Sequence, residues 1–281
     1  MADDPLVGVA ELDENVVDAI AAMDRGDVGG LTMLVSAEPS LVSERFSCGA
    51  GYFRDPYLLW FVAGNPVRLE RLPLNAAEVA ATLIGFLESY HVSSRVEQIS
   101  YTLSLVCSGR VPRESGVQTP LIDVLVEAGG DPDGAMDSAL AHREEAAVGR
   151  LVERGATVTM SVAAALGRVA ALREKARHAD GDDLQAALAV AAVWGQAHSI
   201  RELAAHGVNM NAFNPPGFHA HGTALHNAVA AHSLEAVRAL VDAGATTRIR
   251  DKLWEGTALD WADHLGDEKI AQYLRAETAH S

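Results

Sequence analysis

Three histidines lie close together in the stretch GFHAHGTALHNA, at positions 219, 221 and 226. Imidazole is the commonest protein ligand for metals and also works as an acid or base near neutral pH. A zinc site needs three or four ligands, however, and this stretch contains no Cys, Asp or Glu, so Asp251, Glu255 or Asp260 would have to complete it. We therefore expect no metal and no cofactor, and we expect His219 and His221 to contact a partner or to pack within their loop.

A second group of polar residues has the composition of a site for an anion or a carboxylate. The segment CSGRVPRESG carries Arg110, Arg113 and Glu114, and the segment LAHREEA carries His142 and Arg143 followed by two glutamates. Arginine beside a carboxylate most often forms a structural ion pair. The same side chains would line a small-molecule or catalytic pocket if they converged in space, so both interpretations stay open.

Aromatic side chains, which dominate binding hot spots, concentrate in two places. The first is a run of five within ten residues, comprising Tyr52, Phe53, Tyr57, Trp60 and Phe61. We expect this run to pack in the core near the N-terminal end. The second place holds Trp254 and Trp261. We expect both to pack near the C-terminal end, with Trp254 the more exposed of the two.

Catalytic motifs of fixed spacing are absent from the sequence, which has no glycine-rich phosphate loop, no HExxH, no GxSxG and no CxxC. Their absence favours a role without catalysis, although an acid–base pair assembled from distant residues would leave no such motif. The chain is acidic, with a formal charge of −16. That charge argues against non-specific binding to nucleic-acid phosphates or to an anionic membrane surface.

Cysteine content and hydrophobic patterning predict a cytoplasmic protein. Cys48 and Cys107 form neither a disulfide framework nor a zinc-finger spacing, and we expect them to be small core residues. The N-terminal stretch MADDPLVGVAELDENVV is acidic where a signal peptide is basic. No window reaches the roughly 18 uninterrupted apolar residues of a membrane span.

Helices are the elements expected to position these residues. Hydrophobic residues make up 49% of the chain and are mostly Ala, Leu and Val, whereas aromatics make up 5%. The segment GTALHNAVAAHSLEAVRALVDAGATTRIRD is followed by GTALDWADHLGDEKIAQYLRAE, and their triplets begin at Thr223 and Thr257, 34 residues apart. Each triplet precedes a short apolar helix, a turn and a second helix. Ser233 suits the N-cap and Gly244 the C-cap of one second helix.

This pattern resembles the ankyrin repeat, whose period is about 33 residues and whose signature is T-P-L-H-x-A. Ala224 and Ala258 stand where the signature has proline, and Asp260 stands where the last copy would have histidine. The resemblance implies that His226 hydrogen-bonds with Thr223 and with neighbouring backbone. The resemblance is to bacterial-type stand-alone ankyrin-repeat proteins, and it becomes weaker toward the N-terminus.

The resemblance implies an all-α ankyrin-repeat solenoid of about seven to eight helix-turn-helix units. Glycine-terminated second helices recur at Gly129, Gly155 and Gly207, with Gly181 at an intermediate position. We predict helix pairs at roughly 135–154, 161–177 and 183–206. Two long helices are expected over residues 75–90 and 94–108. The whole chain, 1–281, is predicted to be a single domain, with divergent repeats over 1–114 and recognisable repeats with a C-terminal cap over 115–281.

An ankyrin array implies a protein-interaction module whose first helices and connecting fingers line a concave face. The finger before Thr223 is three residues longer than the one before Thr257. We expect contacts with an unidentified protein partner through Phe218, His219, His221, Arg250 and Trp254. The alternative is a small-molecule-binding or catalytic pocket in the concave face, lined by His, Arg and carboxylate residues.

Overall fold

The computed structural model describes residues 4–280, and over that range it is built from α-helices and short 3-10 turns with no β-strand, which confirms the all-α class. Residues 1–3, which belong to the acidic N-terminal stretch considered above, and residue 281 lie outside this range. Contacts divide the chain into two compact units, residues 1–156 and 157–281. The two Cys side chains are buried, as expected.

The N-terminal unit consists mainly of α-helices, with short 3-10 turns over Val9–Glu11, Gly51–Phe53 and Leu58–Ala63. Its helices are α1 (Glu14–Arg25), α2 (Val28–Ala37), α3 (Ser40–Ser43), α4 (Ala76–Ser89), α5 (Arg95–Cys107), α6 (Arg110–Glu114), α7 (Gln118–Glu127), α8 (Pro132–Ala141) and α9 (Glu145–Glu153). Helix α1 packs on α2, α5 on α7, and α8 on α9. The pair α5–α7 also packs against the pair α8–α9, because α5 contacts α8 and α7 contacts α9.

The two long helices predicted over residues 75–90 and 94–108 are present as α4 and α5, but they are not each other's main partners. Helix α5 packs on α8, on α7 and on the Leu58–Ala63 turn, whereas α4 packs chiefly on α7 and on the same turn. That turn therefore takes the place of a first helix beside α4. Ser94 precedes α5 as its N-cap residue, but its side chain makes no capping hydrogen bond to the helix.

The C-terminal unit contains α10 (Met160–Ala165), α11 (Val169–Ala176), α12 (Gly181–Val193), α13 (Ala197–Ala204), α14 (Ala224–Ala230), α15 (Leu234–Asp242), α16 (Ala258–His264) and α17 (Glu268–His280). Each even-numbered helix packs on the next odd-numbered one. The first helices contact one another in chain order, α10 to α12 to α14 to α16, and the second helices do the same. Buried alanines and leucines from all eight helices form one continuous core. The small alanines let neighbouring helices approach closely.

The predicted helix pairs over 135–154, 161–177 and 183–206 agree with the structure to within three residues. Gly129, Gly155, Gly207 and Gly244 follow second helices with φ between 77° and 102°, a conformation that costs glycine little. The interpretation of Gly181 is wrong, because this residue begins α12 instead of ending a helix. The Asp180 carboxylate accepts a hydrogen bond from the Asp183 N–H and starts the helix there.

Two loops of the C-terminal unit carry most of the residues singled out above. We define the first finger as residues 214–222, between α13 and α14, and the second finger as residues 251–256, between α15 and α16. An isolated antiparallel bridge closes the base of each, Phe213 with Thr223 and Arg250 with Thr257. None of the helices within residues 4–280 is long and apolar enough to cross a membrane.

Candidate functional site

The second finger is organised around one buried carboxylate. Asp251, only 2% exposed, accepts hydrogen bonds from the backbone N–H groups of Leu253, Trp254 and Gly256 at 2.8–2.9 Å and from the Trp261 indole at 3.0 Å. Burial alone raises the pKa of Asp251, but these four donors outweigh burial and lower it below the ordinary value. The carboxylate is therefore ionised, and it holds both the finger backbone at Trp254 and the indole of Trp261.

His226 joins the start of α14 to the second finger. Its Nδ1 lies 3.2 Å from the Thr223 backbone N and 2.9 Å from the Thr223 hydroxyl, and its Nε2 lies 3.1 Å from the Gly256 carbonyl oxygen. The expected hydrogen bonds of His226 with Thr223 and neighbouring backbone are confirmed. Burial lowers the pKa of His226, although the Gly256 carbonyl and Asp251 oppose this effect. The imidazole is therefore neutral at physiological pH, with Nε2 as the donor to Gly256.

The two fingers are also linked directly. The Lys252 backbone N–H donates to the His221 carbonyl oxygen at 2.8 Å. The His221 ring lies 5.3 Å from the Trp254 ring and 5.8 Å from the Trp261 ring, centroid to centroid. Its Nε2 is buried without a hydrogen-bond partner among the described atoms. His221 therefore contributes mainly ring surface to its surroundings.

These rings border an open groove of about 590 Å³. We call it the aromatic groove and define it by His219, His221, Trp254, Asp260, Trp261 and Leu265, with Ala230, Gly256 and His264 completing the lining. Trp254 and Trp261 meet at an interplanar angle of 63° with their centroids 5.6 Å apart, so their faces form a corner. Trp254 is 69% exposed although its backbone is held by Asp251. The groove thus presents aromatic surface on fixed backbone.

Asp260 supplies negative charge to this groove. Its Oδ2 accepts hydrogen bonds from the Thr257 backbone N–H and hydroxyl, both at 2.8 Å, which caps α16. These two bonds, with a smaller contribution from the charge of Arg250, lower the pKa of Asp260. Arg250 itself donates to the Glu255 carbonyl oxygen at 2.5 Å and does not line the groove. The groove therefore combines aromatic faces with one ionised carboxylate.

Of the five residues predicted to contact a partner, three meet in the aromatic groove: His219, His221 and Trp254. Phe218 is half-buried and outside the lining, and Arg250 lies at the base of the second finger. Sequence reasoning missed His264 and Leu265. Their signal was the spacing of Asp260, Trp261, His264 and Leu265, which places them along one side of a helix. Among residues 4–280, no group of three or more His, Cys, Asp or Glu side chains is placed to hold a metal ion.

The Arg-rich constellation of the N-terminal unit forms ion pairs. Arg113 Nη1 lies 2.6 Å from Glu144 Oε1, and the Glu144 side chain is only 2% exposed. Arg110 Nη1 lies 2.6 Å from Glu114 Oε2. His142 contacts the Ser138 carbonyl oxygen at 2.9 Å, while Arg143 occupies a turn with φ of 57°. Ion pairs within the chain thus engage the charges of Arg110, Arg113, Glu114 and Glu144.

The five-residue aromatic run forms a second ring assembly, which we call the N-terminal aromatic cluster: Phe53, Tyr57, Trp60 and Phe61, all buried. Tyr52 is the exception, since it is about half exposed. The Tyr57 and Trp60 rings lie 5.6 Å apart at 79°. The Arg45 guanidinium lies 4.3 Å from the Tyr57 ring centroid and 5.2 Å from that of Trp60, and it forms an ion pair with Glu97. The expectation that this run packs in the core is confirmed for these four residues.

Comparison with known proteins adds no family to this description. No protein-family model matches the chain, and no curated protein matches it at a significant level.

Proposed function

We propose that the chain is an ankyrin-repeat protein whose function is to bind a segment of a partner protein in the aromatic groove. The ankyrin assignment rests on the 34-residue spacing of the two Thr-Ala-Leu triplets and on their equivalent caps. His226 caps α14 from the third position after Thr223, as Asp260 caps α16 after Thr257. The chain-order stacking of first helices and of second helices supports a solenoid.

The main support for the binding role is that Trp254 is exposed although its finger is already ordered. A tryptophan that is 69% exposed would be unusual as a purely structural residue. Four hydrogen bonds to Asp251 fix the finger before any partner arrives. Binding to a preorganised surface loses little conformational entropy, and tryptophans are enriched where interface energy concentrates.

The position of the groove is consistent with this proposal. Its walls come from the two fingers and from the first helices α14 and α16, which are the elements that ankyrin arrays offer to partners. The alternative pocket around Arg110, Arg113 and His142 has no comparable support, because the charges of Arg110 and Arg113 are paired within the chain.

Selection from a random peptide display library against the immobilised protein tests the proposal. We expect recovered peptides to bind the wild type and to lose about tenfold or more in affinity for Trp254→Ala. Leu74→Ala is the matched control, since Leu74 is an exposed apolar residue of the other unit. Peptides that bind Trp254→Ala as tightly as the wild type, or no recovered peptides at all, would refute the binding role.

A further inference from the structure

Another region of the chain shows how a cation is held against a pair of aromatic rings. In the N-terminal aromatic cluster, Tyr57 and Trp60 meet edge to face, the Arg45 guanidinium lies over both rings, and the Glu97 carboxylate pairs with it. The ring quadrupoles and the carboxylate attract the same positive charge, so their contributions reinforce each other.

The aromatic groove has the same components apart from the cation. Trp254 and Trp261 have the same centroid separation as Tyr57 and Trp60, 5.6 Å, and Asp260 lines the same groove. Within residues 4–280, no Arg or Lys lies over either of these indole rings. The two nearby cations of the second finger region point elsewhere: Arg250 binds the Glu255 carbonyl oxygen, and Lys252 Nζ lies 4.0 Å from the Phe213 ring centroid.

We propose that the aromatic groove receives an arginine side chain of the partner segment, with its guanidinium over Trp254 and Trp261 and paired with Asp260. This inference rests on the proposed function. It commits to a basic partner segment, which complements both the ionised Asp260 and the formal charge of −16 of the chain.

A guanidinium suits this lining better than an ammonium group. The groove is lined mainly by aromatic and aliphatic surface, and Asp260 Oδ2 is already used by Thr257. A primary ammonium is strongly hydrated and would need several acceptors on entering such a site. A guanidinium is more weakly hydrated, is planar, and stacks on ring faces while donating to one carboxylate.

Small probes test the guanidinium separately from any peptide. The chain would be titrated with N-acetylarginine N-methylamide while the indole N–H resonances of its four tryptophans are followed by NMR. We expect saturable shifts at Trp254 and Trp261. The citrulline analogue has nearly the same shape without the charge and should shift neither, and the lysine analogue should bind more weakly. Equal binding of citrulline, equal or tighter binding of lysine, or no shift with arginine would each overturn the inference.

Variants locate the probe. Asp260→Asn keeps an acceptor for Thr257 but removes the charge, and we expect the arginine probe to bind about two- to fivefold more weakly. Asp263→Asn is the matched control, because Asp263 lies on the same helix but outside the groove and pairs with Arg275. Equal weakening in both variants would contradict a specific role of Asp260.

The two proposals fail in distinguishable ways. Library peptides that depend on Trp254 but lack arginine would leave the partner-binding role intact and overturn the guanidinium inference. Conversely, an arginine probe that shifts Trp254 and Trp261, combined with no groove-dependent peptide, would overturn partner binding while keeping a guanidinium site.

Discussion

The N-terminal aromatic cluster and the aromatic groove are built from similar parts and are positioned by different forces. In the cluster, Phe53 and Phe61 are fully buried and meet edge to face with centroids 5.1 Å apart, so apolar packing fixes the rings. In the groove, a buried carboxylate fixes the backbone of Trp254 and the indole of Trp261. Packing buries the ring surface that it holds in place. Hydrogen bonding to the backbone leaves the ring surface exposed to a partner.

Formal charge separates the two regions as well. Residues 1–156 contain 24 acidic and 11 basic side chains, whereas residues 157–281 contain 14 and 11. The acidity of the chain therefore comes mostly from the unit that holds the buried cluster. The net charge of the whole chain indicates which classes of partner it favours, but it does not show where a partner binds. In the groove, the relevant negative charge is the single carboxylate of Asp260.

The largest effect should come from removing a buried ring. Phe61 is fully buried against Phe53 and within 5.2 Å of the Arg68 guanidinium. We expect Phe61→Ala to lower the free energy of unfolding by about 3–5 kcal/mol, because apolar contacts are lost and a cavity remains. Urea denaturation followed by circular dichroism measures this change. A loss below about 1 kcal/mol would mean that packing does not hold the cluster.

The counterpart in the groove is the carboxylate that organises the second finger. In Asp251→Asn, one oxygen becomes an amide NH2 group, so the four donors that now converge on the carboxylate can no longer all be satisfied. We expect a loss of about 2–3 kcal/mol in unfolding free energy. The indole N–H resonance of Trp261 should also move strongly. Unchanged stability together with an unchanged Trp261 resonance would contradict the organising role.

The matched control for that variant is Asp263→Asn. Asp263 is an exposed carboxylate whose partner in the structure is Arg275. Exposed ion pairs contribute little, so its loss should change the unfolding free energy by less than about 1 kcal/mol.

Sequence reasoning reached the fold class and the helix positions because these depend on local patterns. Glycine positions and apolar spacing placed the helices from residue 132 to residue 204 within three residues. The Leu58–Ala63 turn was not predicted to replace a helix, since which element packs against α4 is a tertiary choice. The run of apolar residues is equally compatible with either conformation.

The site was predicted in part for the same reason. His219 and His221 stood out because they lie on a finger that is longer than the next one, and Trp254 stood out as the tryptophan expected to be the more exposed. The organising role of Asp251 was missed, because a carboxylate that binds backbone N–H groups has no signature in side-chain spacing. His264 and Leu265 join the groove only because α16 places them beside Asp260 and Trp261.

Acid pH should affect the groove region more than the N-terminal aromatic cluster. Burial lowers the pKa of His226 in the folded state, so the unfolded chain binds the proton more readily. The stability that the neutral imidazole contributes is complete above about pH 6.5, the ordinary pKa of histidine, and is lost as the pH falls below it. The segment from Arg45 to Phe61 contains no histidine.

The pH prediction is tested by comparing unfolding free energies of the wild type and His226→Gln between about pH 7.5 and pH 5. Glutamine offers an acceptor at the cap without the titration. We expect the wild type to lose more stability than the variant over this interval. Parallel losses in the two proteins would show that other groups account for the acid effect.

The smallest effect on stability should come from the tryptophan that matters most for binding. Trp254 is exposed, and its hydrogen bond to Asp251 comes from the backbone, which an alanine retains. Its ring contacts, with His221 and Trp261, are both made at the groove surface. We expect Trp254→Ala to change the unfolding free energy by no more than about 1 kcal/mol, while Phe61→Ala loses several. Urea denaturation of both variants measures the contrast. If Trp254→Ala were as damaging as Phe61→Ala, Trp254 would be a packing residue like those of the N-terminal aromatic cluster, and its loss of peptide binding could no longer be assigned to the groove.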